Sequence, residues 1–205
     1  MLKVENLTLK TRHTILDDFS FTFEKGNIYG VVAPNGSGKT TFFRAINALI
    51  PVTNGHIQLE KGNISTKRRE IFYFEDNSWF DSNLSGYDYL VFVKQMWQSE
   101  VDISNVINQL HLQEYIKLPI KKYSLGMKQK VIIAMYIVSD ADYLIMDEIS
   151  NGLDEDNRKA LFAILEELVQ KNKMIMISSH YLDEIICKCS YVLELKNAKF
   201  EVAAL

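Results

Sequence analysis

The chain has 205 residues, 47% hydrophobic and 24% charged, with a formal net charge of −3; that is material for one sizeable core, and too little positive charge for a non-specific nucleic-acid binder. No window reaches the roughly 18 consecutive apolar residues of a membrane-spanning helix. The opening decapeptide, with Lys3, Glu5 and Lys10, has no secretory core, so a cytoplasmic protein is expected, its Cys187 and Cys189 reduced.

Apolar residues alternate at Leu2, Val4, Leu7 and Leu9 and again at Phe19, Phe21 and Phe23. This predicts two antiparallel strands, closed by a turn at Lys25-Gly26-Asn27. Ile28 to Ala33 reads as a buried strand. A Gly-rich turn follows, then a helix from about Lys39 to Leu49. Asn54-Gly55 predicts a turn into a strand at Ile57 to Leu59. From Asn77 to Gln98 the chain is rich in Trp, Tyr and Phe, and Ile103 to Ile116 looks helical, with Ile103, Val106, Ile107 and Leu110 on one face. A helix from Met127 to Val138 precedes a strand at Tyr143 to Met146. Arg158 to Gln170 (helix), Met174 to Ser178 (strand) and a hairpin from Tyr191 to Val202 complete the pattern. Alternating strands and helices predict an α/β core around a parallel sheet, with a helical insertion in the middle of the chain.

Three segments carry chemistry. Ala33-Pro34-Asn35-Gly36-Ser37-Gly38-Lys39-Thr40-Thr41 leaves a strand and opens a helix, the setting of a phosphate-binding loop. Its glycines let backbone N–H groups point inward at phosphate oxygens, and the helix N-terminus adds its dipole. Lys39 is placed for the terminal phosphates and Thr40 for Mg²⁺. Ala33 stands where the strict pattern has Gly, which suits an extended backbone but not a left-handed one. The second segment, Tyr143 to Glu148, ends a buried strand in two carboxylates: Asp147 for the metal and Glu148 as the base that activates water. The third is Tyr123-Ser124-Leu125-Gly126-Met127-Lys128-Gln129-Lys130. Ser124 alone would be a helix N-cap. In this form, 23 residues before Asp147, the segment resembles the signature motif of ABC ATPases.

The resemblance extends from about Leu2 to Phe200. It implies a P-loop NTPase core with an N-terminal antiparallel β subdomain and an inserted helical subdomain. Residues 1–75 and 140–205 would form the core with the β subdomain; about 76–139 would form the helical subdomain with the signature. It implies roles as well: Glu148 and His180 in catalysis, His180 as the switch histidine at the γ-phosphate. ATP would be bound by residues 33 to 41, by Ser124 and Gly126 reaching the nucleotide of a second subunit, and by Asp154 in the D-loop Asn151-Gly152-Leu153-Asp154. Thr40, Asp147 and Glu75 would attend Mg²⁺, Glu75 standing where most members have Gln. The family's adenine-stacking aromatic falls near Lys10, where this chain offers only Arg12 or His13. The proline that usually follows the Asp-Glu pair is Ile149.

The partners implied are a second nucleotide-binding subunit and a transmembrane permease subunit, with no nucleic acid. The expected location is the inner face of the membrane, held there by the permease. Glu75, the D-loop and Met127 resemble the drug, antibiotic and polymer exporter branch. A soluble ABC protein acting on ribosomes or DNA would usually carry two cassettes or a long coiled coil, and neither is seen. Trp79, Phe80 and Tyr87 are expected to be partly exposed and to line a groove for the permease.

Overall fold

The computed structural model describes residues 1–60, 62–179 and 181–205, apart from the side chains of Asn63, Ser65 and Leu182. In chain order its elements are β1 (Leu2–Lys10), β2 (Thr14–Phe23), β3 (Ile28–Val32), α1 (Lys39–Ile46), β4 (Asn54–Leu59), β5 (Gly62–Asn63), β6 (Ile71–Tyr73), α2 (Gly86–Trp97), α3 (Ile103–Gln109), α4 (Leu125–Ser139), β7 (Tyr143–Met146), α5 (Glu155–Gln170), β8 (Met174–Ser178), α6 (Leu182–Lys188), β9 (Tyr191–Lys196) and β10 (Lys199–Ala204).

They form two sheets. An antiparallel one runs β2-β1-β4-β5 and a larger one β10-β9-β3-β8-β7-β6. In the larger sheet every neighbouring pair is parallel except β10 with β9. Because side chains on a strand alternate faces, the buried strands divide their residues between two cores. Tyr143, Ile145, Met174, Met176, Ile71 and Tyr29 face one way and join the antiparallel sheet and α1, including Phe42, Phe43 and Ile46. Leu144, Met146, Ile175, Ile177 and Phe72 face the other way and join α4 and α5, with Leu90, Val93 and Val106 of the helical region. The chain is thus an α/β protein with a parallel-containing sheet and an antiparallel β subdomain.

Some local expectations shift. The first hairpin is closed by residues 11–13, within which the Thr11 N–H donates to the His13 carbonyl; Lys25-Gly26-Asn27 instead leads from β2 into β3. Asn54 and Gly55 lie inside β4, absorbed where its register against β1 shifts between Glu5 and Thr8. The helix expected to reach Ile116 stops at Gln109. His111 then adopts a left-handed backbone (φ 55°), and Leu112 and Ile116 reach the core from the following turns. α1 ends at Ile46, before the left-handed Ala48 (φ 52°). Two helices begin earlier than the apolar pattern suggests, α4 at Leu125 and α5 at Glu155, because Ser124 and Asp154 accept bonds from backbone N–H groups of their first turns; Ser85 caps α2 in the same way.

Candidate functional site

Strand parity builds the site. Tyr143 and Ile145 face α1, so the next residue of that parity beyond β7, Asp147, emerges on the α1 side. Ser178 continues Met174 and Met176 of β8, and Glu75 continues Ile71 and Tyr73 beyond β6. With β8 between β3 and β7, the carboxyl ends of these strands open beside the start of α1, where open α/β sheets bind their ligands. The contacts follow: the Thr40 hydroxyl donates to Asp147 Oδ2 at 2.6 Å, and the Ser178 hydroxyl to Asp147 Oδ1 at 2.6 Å.

The loop from Ala33 to Thr41 crosses this edge. Gly38, at φ 111°, is in a region closed to most side chains, and a Cβ there would meet Ile15 Cγ2 at 2.2 Å. Gly36 is also left-handed (φ 75°), with open space where a side chain would stand. Ala33 is not among the left-handed residues, so Ala is accommodated. Its carbonyl accepts from Lys39 Nζ at 3.0 Å. Lys39 is buried, and the buried Ser37 hydroxyl has no hydrogen-bond partner among the described residues. A buried ammonium and an orphaned hydroxyl in a glycine loop at a helix N-terminus fit an anion of phosphate character. Loop and Glu148 together line a concavity of 380 Å³.

A second concavity, of 210 Å³, adjoins it and shares Thr40 and Glu148; Glu75, Asp147 and Gln129 also line it. Burial pushes the Asp147 carboxyl above the ordinary carboxylate range; the hydrogen bonds from Ser178 and Thr40 oppose the rise and the nearby Glu148 adds to it. A cation would relieve that cost. Among the described residues no three His, Cys, Asp or Glu side chains gather as a metal cage. A hard divalent cation at Thr40 and Asp147 would therefore take most of its oxygens from phosphate and water, as Mg²⁺ does. Glu148 has a left-handed backbone (φ 50°), uncommon outside glycine. Its N–H donates to the Ser178 hydroxyl at 2.9 Å, and its Oε2 accepts from Asn151 Nδ2 at 2.8 Å.

Other candidate residues are more scattered. Glu75 lines the second concavity, but both its oxygens accept from Arg44. Ser124, Gly126 and Asp154 line neither concavity. Ser124 caps α4 by accepting from the Met127 N–H at 3.2 Å, and Asp154 caps α5 by accepting from the Asn157 N–H at 2.9 Å. Gly126 lies against the D-loop, where a Cβ would stand 3.3 Å from the Gly152 carbonyl. Arg12 and His13 are exposed in the first hairpin turn, and His180 lies outside the described residues. Trp79 is 43% exposed and lines an apolar groove of 360 Å³ with Tyr89, Phe92 and Trp97. Phe80 instead packs between Phe74 and Tyr89, and Tyr87, though exposed, does not line the groove. Sequence reasoning missed Ser178 and Arg44. The only signal for Ser178 was one hydroxyl ending an apolar run; for Arg44 it was a position one turn beyond Thr40.

Known proteins resemble the chain in sequence and in fold. A family model described as ABC transporter matches residues 16–151. The chain is 34% identical to the uncharacterized ABC transporter ATP-binding protein YybJ of Bacillus subtilis, over 99% of this chain and 96% of that protein. It is 36% identical to the lantibiotic transport ATP-binding protein SrtF of Streptococcus pyogenes, over 90% of this chain and 82% of that protein. Its fold matches that of the ATP binding subunit of an ABC transporter, with a TM-score of 0.91 at 24% identity over 100% of this chain and 90% of the other. It also matches an ATP-binding cassette solved as a dimeric post-hydrolysis state bound to ADP and Pi, with a TM-score of 0.88 at 16% identity over 100% and 99% of the two chains.

Proposed function

The chain belongs to the ATP-binding family of ABC transporters, and from that we propose that it is the ATP-hydrolysing motor subunit of an exporter, working as a dimer on a separate membrane subunit. The observation that carries the reading is the junction of Lys39, Thr40, Asp147 and Glu148 at one sheet edge, tied by the Thr40–Asp147 and Ser178–Asp147 hydrogen bonds. The likeness to a lantibiotic transport protein favours export. No helix of the described residues is long and apolar enough to cross a membrane, so the motor reading needs a membrane partner, and the groove at Trp79 is its docking face.

The residues divide the work. Loop N–H groups and Lys39 hold the β- and γ-phosphates of ATP. Thr40 and Asp147 hold Mg²⁺, which supplies charge neutralisation on the phosphates. Glu148 orients a water and takes its proton as the water oxygen bonds to the γ-phosphorus and the bond to the ADP oxygen breaks, releasing ADP and phosphate. Ser178 keeps Asp147 aimed at Thr40, and Asn151 holds the Glu148 carboxylate. Ser124 and Gly126 of a second copy complete the γ-phosphate site, and His180 stabilises charge there. The rate comes from positioning and electrostatics.

The test is Glu148→Gln. ATP affinity should stay within a few-fold while turnover falls roughly 10²–10⁴-fold, and an ATP-bound dimer should accumulate in size-exclusion chromatography with multi-angle scattering. Phosphate release at the wild-type rate overturns the assignment of the base.

A further inference from the structure

Arg44 lies one turn beyond Thr40 on α1, so both side chains leave the same face of the helix, about 6 Å apart along its axis. Its Nε donates to Glu75 Oε2 at 2.6 Å and its Nη2 to Oε1, a bidentate grip on one carboxylate. The Tyr73 hydroxyl donates to the same Oε2 at 3.2 Å. Glu75 is 8% exposed and the Arg44 side chain 46% exposed. A buried carboxylate beside Thr40, Asp147 and Glu148 is thus neutralised by a cation held on the phosphate-loop helix itself. Without Arg44, Glu75 would add one more negative charge to this edge, which favours a divalent cation and disfavours a nucleotide that arrives without one.

We propose that Arg44 is a positioning residue for Glu75: the ion pair cancels the carboxylate's charge and holds it one helical turn away from the phosphate end, and so sets how strongly nucleotide binding depends on Mg²⁺. Glu75 adds its charge at the metal only when Arg44 lets go. The proposal rests on the nucleotide and metal site described above.

Charge makes the two single substitutions opposites. Arg44→Gln adds one net negative charge to the site, and Glu75→Gln adds one net positive charge. A pair that merely braces the fold predicts instead that both weaken binding alike. The whole chain is titrated with a fluorescent ATP analogue across a Mg²⁺ series and in EDTA, with melting temperatures confirming that each variant is folded. Arg44→Gln should lower the Mg²⁺ concentration for half-saturation by roughly tenfold and weaken binding in EDTA; Glu75→Gln should do the reverse. The double variant should return near the wild type. Arg44→Lys keeps the charge but loses the two-point grip, so it should shift in the direction of Arg44→Gln by a smaller amount. Shifts of the two single variants in the same direction, or no shift in either, overturn the proposal. If the wild-type chain binds no nucleotide at any Mg²⁺ concentration, the underlying reading of the site fails instead.

Discussion

Asp147 is held at a cost to the nucleotide-free protein. Burial raises its carboxyl pKa above the ordinary Asp value, and two hydroxyl donors only partly offset this. The folded state therefore holds the Asp147 proton more tightly than the unfolded chain does. The stability it contributes is fully present below the unfolded pKa and is lost as pH rises through the folded one. At neutral pH the ionised carboxylate is a net burden, relieved when a cation binds. Asp147→Asn should raise the melting temperature at pH 7 by about 2–4 °C, the shift expected of roughly 1 kcal/mol in a chain of this size. Mg²⁺-dependent ATP binding should fall sharply. The thermal gain should shrink as pH is lowered toward the folded pKa of Asp147. Calorimetry across pH checks the sign; a lower melting temperature at pH 7 would contradict it. Glu148 shows the same sacrifice in its backbone, left-handed and anchored on Ser178.

Among the elements, α4 combines two requirements at one residue. Ser124 caps its first turn, and in the dimer the same side chain would face the nucleotide of the other copy. Removing the cap costs about 1 kcal/mol. Ser124→Ala should therefore lower the melting temperature by about 2–4 °C and weaken ATP-driven dimerisation. Ser124→Asp keeps a capping oxygen, and its charge suits a helix N-terminus, so melting should recover. Placed against a γ-phosphate, that charge should abolish the ATP-bound dimer in sedimentation velocity. Recovery of both properties would remove Ser124 from the interface. This helix was legible from sequence in type and roughly in extent, because a cap and a long apolar run are local. The α1 helix was read three residues too long: Leu49 is apolar, but the backbone has already turned at Ala48.

For the whole molecule, the aromatic segment after Glu75 separates into two roles. Phe80, half-buried between Phe74 and Tyr89, joins the loop to α2. Trp79, 43% exposed, faces the open groove. Phe80→Ala should cost up to about 3 kcal/mol of stability, read by urea unfolding. Trp79→Ala should unfold within about 1 kcal/mol of wild type and bind ATP normally. Its effect should appear only with the membrane partner present, as weaker co-purification or lost stimulation of ATP hydrolysis. A Trp79→Ala variant that melts early but couples normally would return this ring to the core.

What the sequence determined by itself was whatever local backbone or a single strand could encode. Gly36 and Gly38 followed by Lys39 specify a loop shape, and a buried apolar run breaking into Asp147-Glu148 marks the end of a strand. The alternation on β7 and β8 was likewise a property of each strand alone. What only the tertiary structure decided was adjacency. β8 inserts between β3 and β7, which brings Ser178 to Asp147; β6 runs beside β7, which delivers Glu75 to Arg44. The first hairpin turn was missed for a related reason: Thr11, Arg12 and His13 include no Gly or Pro, and the pairing of β1 with β2 forces the reversal there. Strand order is set by how two cores close on opposite faces of one sheet, a condition spread over the whole chain, and no short window of residues contains it.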